Sequence, residues 1–160
     1  MQSHVIYLAL GSNLGEREAN LRAAICALPP QVQVEAESHI YETAPWGFHE
    51  QPAFLNMALR ARTMLSPGDL LTFLKQLEAA LGRVPTFRNG PRLIDIDILF
   101  YDDLVLDTPP LVLPHPRLHE RAFVLVPLAE VGAGVIHPRL GRTVDALLAE
   151  VETDGVALFA

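Results

Sequence analysis

The chain has 160 residues, half of them apolar, and 12 basic against 19 acidic residues give it a formal net charge of −7. That length and apolar content suffice for a full core, so we expect a single domain over residues 1–160. The acidic balance argues against nucleic-acid binding, which needs a basic face. No apolar run approaches the ~20 residues that span a membrane, and no signal sequence precedes the first strand. We therefore expect a cytoplasmic protein, and a monomer.

In the first half of the chain, the sequence pattern predicts one strand, then a helix, then two further strands. Residues 4–10 form an apolar run that is typical of a central strand. A helix over about 16–28 follows, and Ser12 or Asn13 is its expected cap. Two alternating segments predict further strands, over 32–41 and 54–63.

The second half begins with a helix that Ser66 caps and Gly82 ends, and Lys75 and Glu78 lie off the leucine stripe that it is expected to bury. Residues 83–90 carry two arginines and few apolar residues, which indicates a loop that could act as a lid. A strand with two aspartates comes next. The later segments predict a short hairpin near 104–106, an apolar strand over 123–128 and a helix over 143–151, and the tail 152–160 has no assignment.

This order of elements, β-α-β-β-α-β with later additions, predicts a ferredoxin-like α+β fold. One antiparallel sheet would carry helices on one face. The other face, with Asn56, Asp95 and Asp97, would carry the active site.

The run Ile94-Asp95-Ile96-Asp97-Ile98 places both aspartates on one face of a strand, about 6.6 Å apart at ~3.3 Å per residue. Phe100 is expected on the opposite, core face with the isoleucines. Two carboxylates this close repel each other unless one is protonated or a cation lies between them, and Mg²⁺ prefers such ligands. The alternative is an amphipathic strand whose outer face carries two solvated aspartates.

Arginines lie on both sides of the aspartates, which favours a metal site over a strand with two solvated aspartates. The alternative for the arginines themselves is that they are ordinary surface residues. A metal together with arginine is what a polyphosphate needs. The arginines are Arg83, Arg88, Arg92, Arg117 and Arg121.

A second group of residues suggests a pocket for a flat heterocycle. Trp46 lies in a Pro- and Gly-containing loop, and Phe54 and Asn56 share a strand face. Asn56 offers a carbonyl and an NH₂ to a polar edge. The alternative is that Trp46 is a core residue and Asn56 caps its own strand.

Five motifs in register resemble the 6-hydroxymethyl-7,8-dihydropterin pyrophosphokinase family over nearly the whole chain. They are Ala-Leu-Gly-Ser-Asn-Leu-Gly at 9–15, Tyr-Glu-Thr at 41–43, Gln-Pro-Ala-Phe-Leu-Asn at 51–56, Gly-Pro-Arg-Leu-Ile-Asp-Ile-Asp-Ile-Leu at 90–99, and Pro-His-Pro-Arg-Leu-His-Glu-Arg-Ala-Phe-Val-Leu at 114–125. The resemblance implies transfer of pyrophosphate from ATP to the pterin hydroxymethyl oxygen, with release of AMP, in folate biosynthesis.

The resemblance also implies roles for individual residues, with ATP as co-substrate and two Mg²⁺ ions as cofactors. The metal ligands would be Asp95 and Asp97, which with Arg83 and Arg92 form the catalytic set. The pterin contacts would be Thr43, Ala44, Trp46, Phe54, Asn56 and Phe123. The ATP contacts would be Lys75, Glu78, Arg88, Arg92, Ile98, His115 and Arg121.

The lid departs from well-known members of the family, which carry an Arg two residues after the match to Arg83 and a Trp just before Gly-Pro-Arg. Pro85 and Asn89 stand in those places here, and Arg88 or Phe87 could substitute.

Two other functions remain open from the residues alone. One is a two-metal nucleotidyl transferase or cyclase, and the other is a non-catalytic module that senses nucleotides.

Overall fold

The structure is a computed structural model that describes residues 2–43, 52–82 and 93–160. Across these ranges the chain forms eight strands, four α-helices and one 3₁₀ helix (Leu118–Glu120). The strands are β1 His4–Ser12, β2 Val32–Glu37, β3 Tyr41–Thr43, β4 Phe54–Thr63, β5 Asp95–Tyr101, β6 Leu106–Thr108, β7 Leu111–Leu113 and β8 Val156–Leu158. The helices are α1 Arg17–Ala27, α2 Pro67–Ala80, α3 Ala122–Gly132 and α4 Val144–Leu148.

The main sheet is antiparallel, with strand order β5-β1-β4-β3-β8, and β2 also pairs with β4. This arrangement confirms the predicted α+β class. The single strand predicted over 32–41 is wrong, because Ser38 separates β2 from β3. Its hydroxyl accepts the Ala58 N–H at 2.8 Å and donates to the His39 carbonyl at 2.7 Å, and so replaces strand hydrogen bonds there.

Two apolar cores lie on opposite faces of the sheet, since alternate strand residues point to opposite sides. Ile6, Leu8 and Leu10 of β1 pack in the core of the first face, which α1 and α2 cover. Tyr7 of β1 packs on the second face with α3 and α4. The second face is therefore only partly open, which leaves one end of it available for a site.

The 123–128 segment is not the predicted strand but lies within α3. Val124, Leu125 and Leu128 are buried at helical spacing on the second face. Because this segment is apolar on nearly every side, its pattern does not distinguish a buried strand from a buried helix.

The strand β5 contains a bulge, which changes one prediction. Tyr7 pairs with Phe100 but Leu8 pairs with Ile98, so Leu99 is an extra residue in β5. Leu99 and Phe100 consequently pack on the second face, and Tyr101 on the first. The expectation that Phe100 shares the core face of the isoleucines is wrong.

The helix caps and the hairpin were predicted with mixed success. Ser66 caps α2 by accepting the Asp69 N–H, as predicted, but no side chain in the described part of the chain caps α1. Asn13 instead donates to the Pro52 carbonyl at 3.1 Å. The predicted hairpin is formed by β6 and β7, so it includes Leu106 but runs on to residues 107–108 and 111–113.

The unassigned tail contains β8, which pairs with β3 at the edge of the sheet. The α4 helix lies within the predicted 143–151 range. Within the described ranges, no helix combines the length and apolar character needed to cross a membrane.

Candidate active site

The predicted aspartates and the predicted Asn56 face each other across β1 on the second face of the sheet. The register pairs Gly11 with both Asp95 and Asn56. It likewise pairs Ala9 with both Asp97 and Ala58. The carboxylate strand and the amide strand are thus two strand spacings apart, about 10 Å.

Between the aspartates and Asn56, β1 presents only the small residues Gly11 and Ala9 on this face. A Cβ added to Gly11 would lie 3.1 Å from Asn56 Oδ1 and 3.7 Å from Phe54 Cδ1. Gly11 and Ala9 therefore form a floor of small residues between the two groups. Their contribution was missed in the sequence, where the predicted strand ended at residue 10. The available signal was the alternation of small residues along β1.

The carboxylates of Asp95 and Asp97 are half-buried at the start of β5. Burial, together with the negative charges of Asp95 and Glu78, raises the pKa of Asp97 to about 7. Arg121 and Lys75 act in the opposite direction. Because the two carboxylates repel each other, a cation between them would stabilise their charged forms. Their oxygen donors fit a hard divalent metal.

The described residues contain no cluster of three or more His, Cys, Asp or Glu side chains arranged for a metal. Two carboxylates still suit Mg²⁺, which usually keeps waters and takes phosphate oxygens as further ligands. The pair therefore fits a metal that arrives with a phosphate substrate.

Arg121 lies between the 3₁₀ helix and α3 and faces the aspartates. Its Nε is buried and has no hydrogen-bond partner among the described residues, and its guanidinium carbon lies 5.6 Å from the centroid of the Phe123 ring. Burial and the charge of Arg117 lower the pKa of Arg121, whereas Asp97 and Asp95 oppose that shift. Arg121 thus has an unused donor near the carboxylates, and Phe123 adjoins it at the start of α3.

His115 is positioned by the bulge in β5. Its N–H donates to the Leu99 carbonyl at 3.0 Å, and its Nδ1 accepts the Arg117 N–H at 3.2 Å. Burial lowers the pKa of His115 to about 4, with Arg121 and Arg117 acting in the same direction and Asp95 against it. His115 is therefore neutral at physiological pH and keeps Nε2 for a donor hydrogen bond.

The amide side of the floor consists of Thr43, Phe54 and Asn56. Asn56 Nδ2 donates to Thr43 Oγ1 at 2.8 Å, and both residues are buried. The structure thus brings two predicted pterin contacts into direct contact. This hydrogen bond orients the Asn56 amide, which argues against a role limited to capping its own strand.

The predicted ATP contacts from α2 lie beside β5. Glu78 was predicted off the buried stripe of α2, but it is buried and accepts the Ile96 N–H at 2.7 Å. Lys75 Nζ lies 4.0 Å from Glu78 Oε1 and is largely exposed. The Ile98 side chain is buried in the first core, on the face opposite the aspartates.

Several predicted site residues lie outside the described residues. They are Ala44, Trp46, Arg83, Arg88 and Arg92. The predicted lid over 83–90 also lies outside the described ranges.

The carboxylate pair and an arginine lie on one side of the floor of small residues, and a polar amide–hydroxyl pair lies on the other. This combination is typical of phosphoryl-transfer enzymes. Residues 7–133 match the family described as 7,8-dihydro-6-hydroxymethylpterin-pyrophosphokinase (HPPK). The chain belongs to this family.

Curated relatives agree with that assignment. The chain is 42% identical over 159 residues to the 2-amino-4-hydroxy-6-hydroxymethyldihydropteridine pyrophosphokinase of Bacillus subtilis, covering 98% of this chain and 91% of that protein. The protein of the same name from Methylorubrum extorquens is 45% identical over 152 residues, covering 94% and 95%. The folic acid synthesis protein FOL1 of Dictyostelium discoideum is 42% identical, but the chain spans only 23% of its length.

Solved structures share the fold at low sequence identity. An HPPK-DHPS in complex with substrates matches with a TM-score of 0.74 and 15% identity, covering 92% of this chain and 43% of that one. A Plasmodium falciparum HPPK-DHPS triple mutant matches with a TM-score of 0.77 and 15% identity, covering 93% and 43%. These matches support the α+β architecture.

Proposed function

We propose that this chain, as a member of that family, transfers pyrophosphate from ATP to 6-hydroxymethyl-7,8-dihydropterin and releases AMP. The observation that carries this proposal is the placement of the two predicted groups across one floor. Asp95 and Asp97 lie on one side of Gly11, and the hydrogen-bonded pair Asn56 and Thr43 lies on the other. A metal-bound polyphosphate and a polar heterocycle would therefore meet above β1.

Asp95 and Asp97 are the proposed ligands of two Mg²⁺ ions. When bound, Mg²⁺ would neutralise phosphate charge and polarise the transferring phosphoryl group. The protein holds the two carboxylates together at the start of β5, where the buried Glu78 carboxylate accepts the intervening Ile96 N–H. This hydrogen bond fixes the backbone between the aspartates.

Thr43 and Asn56 are proposed to read the polar edge of the pterin, with Phe54 and Phe123 packing against its ring. Asn56 Nδ2 donates one hydrogen to Thr43, and its carbonyl and second hydrogen are the groups proposed to bind the ligand. Ala44 and Trp46 are assigned to the same pocket on the family resemblance alone.

His115 and Arg121 are the proposed ATP contacts that lie near the aspartates. Arg121 supplies a buried Nε donor that no residue of the described ranges accepts, and neutral His115 donates through Nε2 without adding charge. The remaining assignments rest on the family resemblance. They are Lys75, Glu78 and Ile98 as ATP contacts, Arg88 as an ATP contact in the lid, and Arg83 and Arg92 as catalytic residues.

We also propose that the protein acts as a monomer in the cytoplasm. The substrate-binding groups described above all come from one chain. Sedimentation velocity of the free and substrate-bound protein tests the oligomeric state.

The decisive experiment is a product assay with ATP, Mg²⁺ and the reduced pterin, in which nucleotides are separated and quantified. We expect AMP and the pterin diphosphate in equal amounts, and no AMP without pterin. Free pyrophosphate or a cyclic nucleotide would indicate a nucleotidyl transferase or cyclase instead. Binding of Mg-ATP without any turnover would indicate a non-catalytic nucleotide module.

A further inference from the structure

The strand that carries Thr43 is short and depends on the end of the chain. β3 has only three residues and lies between β4 and β8. Thr43 pairs with Val156 of β8. The adjoining Ile40 donates its N–H to the Ala160 carbonyl at 2.7 Å and accepts the Phe159 N–H at 2.8 Å. The last five residues thus pair with nearly the whole 40–43 segment.

Arg17, the first residue of α1, joins this edge to the start of β4. Its Nη1 donates to Glu42 Oε2 and to the Ala53 carbonyl, both at 2.8 Å. Its guanidinium carbon lies 5.6 Å from the centroid of the Phe159 ring. Arg17 therefore contacts β3, the residue before β4 and the terminal segment at once, and its side chain is only 24% exposed.

These contacts lie next to the proposed pterin-reading groups. Glu42 precedes Thr43, and Ala53 precedes Phe54, so Arg17 contacts the residue immediately before each of them. It bonds Glu42 through the side-chain carboxylate and Ala53 through the backbone carbonyl. Neighbouring strand residues point to opposite faces, so Glu42 faces α1 while Thr43 faces the floor. Arg17 accordingly acts on Thr43 and Phe54 through their chain neighbours, without contact with a ligand.

We propose that Arg17, Glu42 and Phe159 form a clamp that positions Thr43 for its hydrogen bond to Asn56 and thereby sets the affinity for the pterin. Arg17 is a positioning residue in this proposal, and β8 is the support that keeps β3 in register. The proposal rests on the proposed function, because it assigns the Thr43–Asn56 pair to pterin recognition.

An exposed ion pair usually contributes little to stability. The Arg17 clamp differs because one guanidinium satisfies a carboxylate and a backbone carbonyl beneath an aromatic ring, where charge-assisted bonds are stronger. Its loss should loosen the end of β3 and the start of β4 without unfolding the two cores, which lie elsewhere.

The test compares Arg17→Met with Arg22→Met in the full-length protein. Arg22 belongs to the same helix and forms an ion pair of the same length, 2.8 Å, with Glu37 of β2. It therefore controls for the loss of one arginine and one ion pair from α1. We expect Arg17→Met to raise the KM and Kd for the reduced pterin about 10-fold. The Kd of an ATP analogue and kcat should stay within about 2-fold, as should all values for Arg22→Met.

Substitution of the partners separates positioning from general structure. Glu42→Gln keeps an acceptor for Arg17 and should leave pterin affinity near the wild-type value, whereas Glu42→Ala should resemble Arg17→Met. Phe159→Leu keeps the apolar contact but removes the ring, so its effect should be intermediate. Equal losses in Glu42→Gln and Glu42→Ala would contradict the clamp.

A double-mutant cycle with Thr43→Val identifies the route of the effect. If Arg17 acts through Thr43, Arg17→Met should have little further effect on pterin binding in the Thr43→Val background. Fully additive effects would overturn the proposal, as would indistinguishable results for Arg17→Met and Arg22→Met. A wild-type protein that releases no AMP with the pterin would overturn the proposed function, and this inference with it.

Discussion

At the scale of single residues, the repulsion between Asp95 and Asp97 determines what the site can bind. Asp97→Asn should lower turnover by roughly 10²-fold or more, because a lost ligand removes charge stabilisation from the transferring group. The melting temperature should stay the same or rise, since the neutral side chain removes a buried repulsion. Product assays and thermal melts check both parts. Turnover near the wild-type rate at ordinary Mg²⁺ would contradict the metal assignment.

Gly11 lies in the floor beside Asn56, and the need for a residue without a side chain there can be tested directly. In Gly11→Ala the new methyl group would lie 3.1 Å from Asn56 Oδ1 and would intrude on the pterin side of the site. We expect weaker pterin binding and unchanged binding of an ATP analogue by calorimetry. Gly68→Ala is the matched control, because a Cβ there meets nothing within 4 Å. A loss of nucleotide affinity equal to the loss of pterin affinity would argue against the floor.

Asn56 should contribute to pterin binding more than to folding. Asn56→Ala should cost about 1–3 kcal/mol in pterin binding, because the polar edge of the ligand would be left unpaired in a desolvated pocket. The affinity for an ATP analogue should be nearly unchanged, as calorimetry can show. If both affinities fell equally, Asn56 would be a structural residue.

At the scale of elements, α3 anchors the start of β3 through Glu130. One Glu130 oxygen accepts the His39 N–H at 2.8 Å, and the other accepts the Tyr41 hydroxyl. Burial alone would raise the pKa of Glu130, but the hydrogen bonds from Tyr41 and His39 hold it below its ordinary value of 4.5. A lowered pKa means that this anchor stabilises the fold above about pH 4.5, and that its contribution disappears as the pH falls further.

Glu130→Gln should therefore be less stable than the wild type at neutral pH, and the difference should shrink in acid. Urea unfolding between pH 7 and pH 3 measures it. Glu37→Gln, which removes an ion-paired carboxylate from β2, is the control. A difference in unfolding free energy that does not change with pH would show that the Glu130 charge is not the relevant property.

The elements also show where sequence reasoning succeeds. Strict alternation in β5 was enough to place both aspartates on one face, because the period of a strand is two residues. It was not enough for Phe100, since residues 98–101 have no polar side chain between apolar ones whose position could reveal the bulge. The burial of Glu78 was not predicted, for a related reason. Its burial depends on the Ile96 N–H, which comes from a strand distant in sequence.

At the scale of the whole molecule, nucleotide binding should stabilise the fold only together with the metal. Without Mg²⁺ the carboxylate pair repels the phosphates. An ATP analogue with Mg²⁺, at 100 times its Kd, should add about 2.7 kcal/mol of stability, and thus several degrees in melting temperature. The same analogue with a chelator should give a much smaller shift in a thermal melt. Equal shifts would contradict a metal-mediated contact.

The general architecture was predictable because most strands and helices carry their own periodic signals and caps. The attachment of β8 to β3 was not, because its three residues, 156–158, show no pattern distinct from a frayed terminus. The contribution of Asn13 was missed for a different reason, which is the long sequence separation of its partner. Its bond to the Pro52 carbonyl joins segments that are 39 residues apart.

The extra residue in β5 has a consequence for how this strand can change in length. Upstream of Leu99 the strand presents aspartates to the site, and downstream it presents Phe100 to the second core and Tyr101 to the first. Deleting Leu99 would restore uninterrupted alternation, so that either the two carboxylates or the two aromatic rings would have to turn over. The same deletion would remove the carbonyl that holds the His115 amide. Point substitutions at this position can be absorbed by repacking, but insertions and deletions cannot, and the length of this segment is as constrained as its composition.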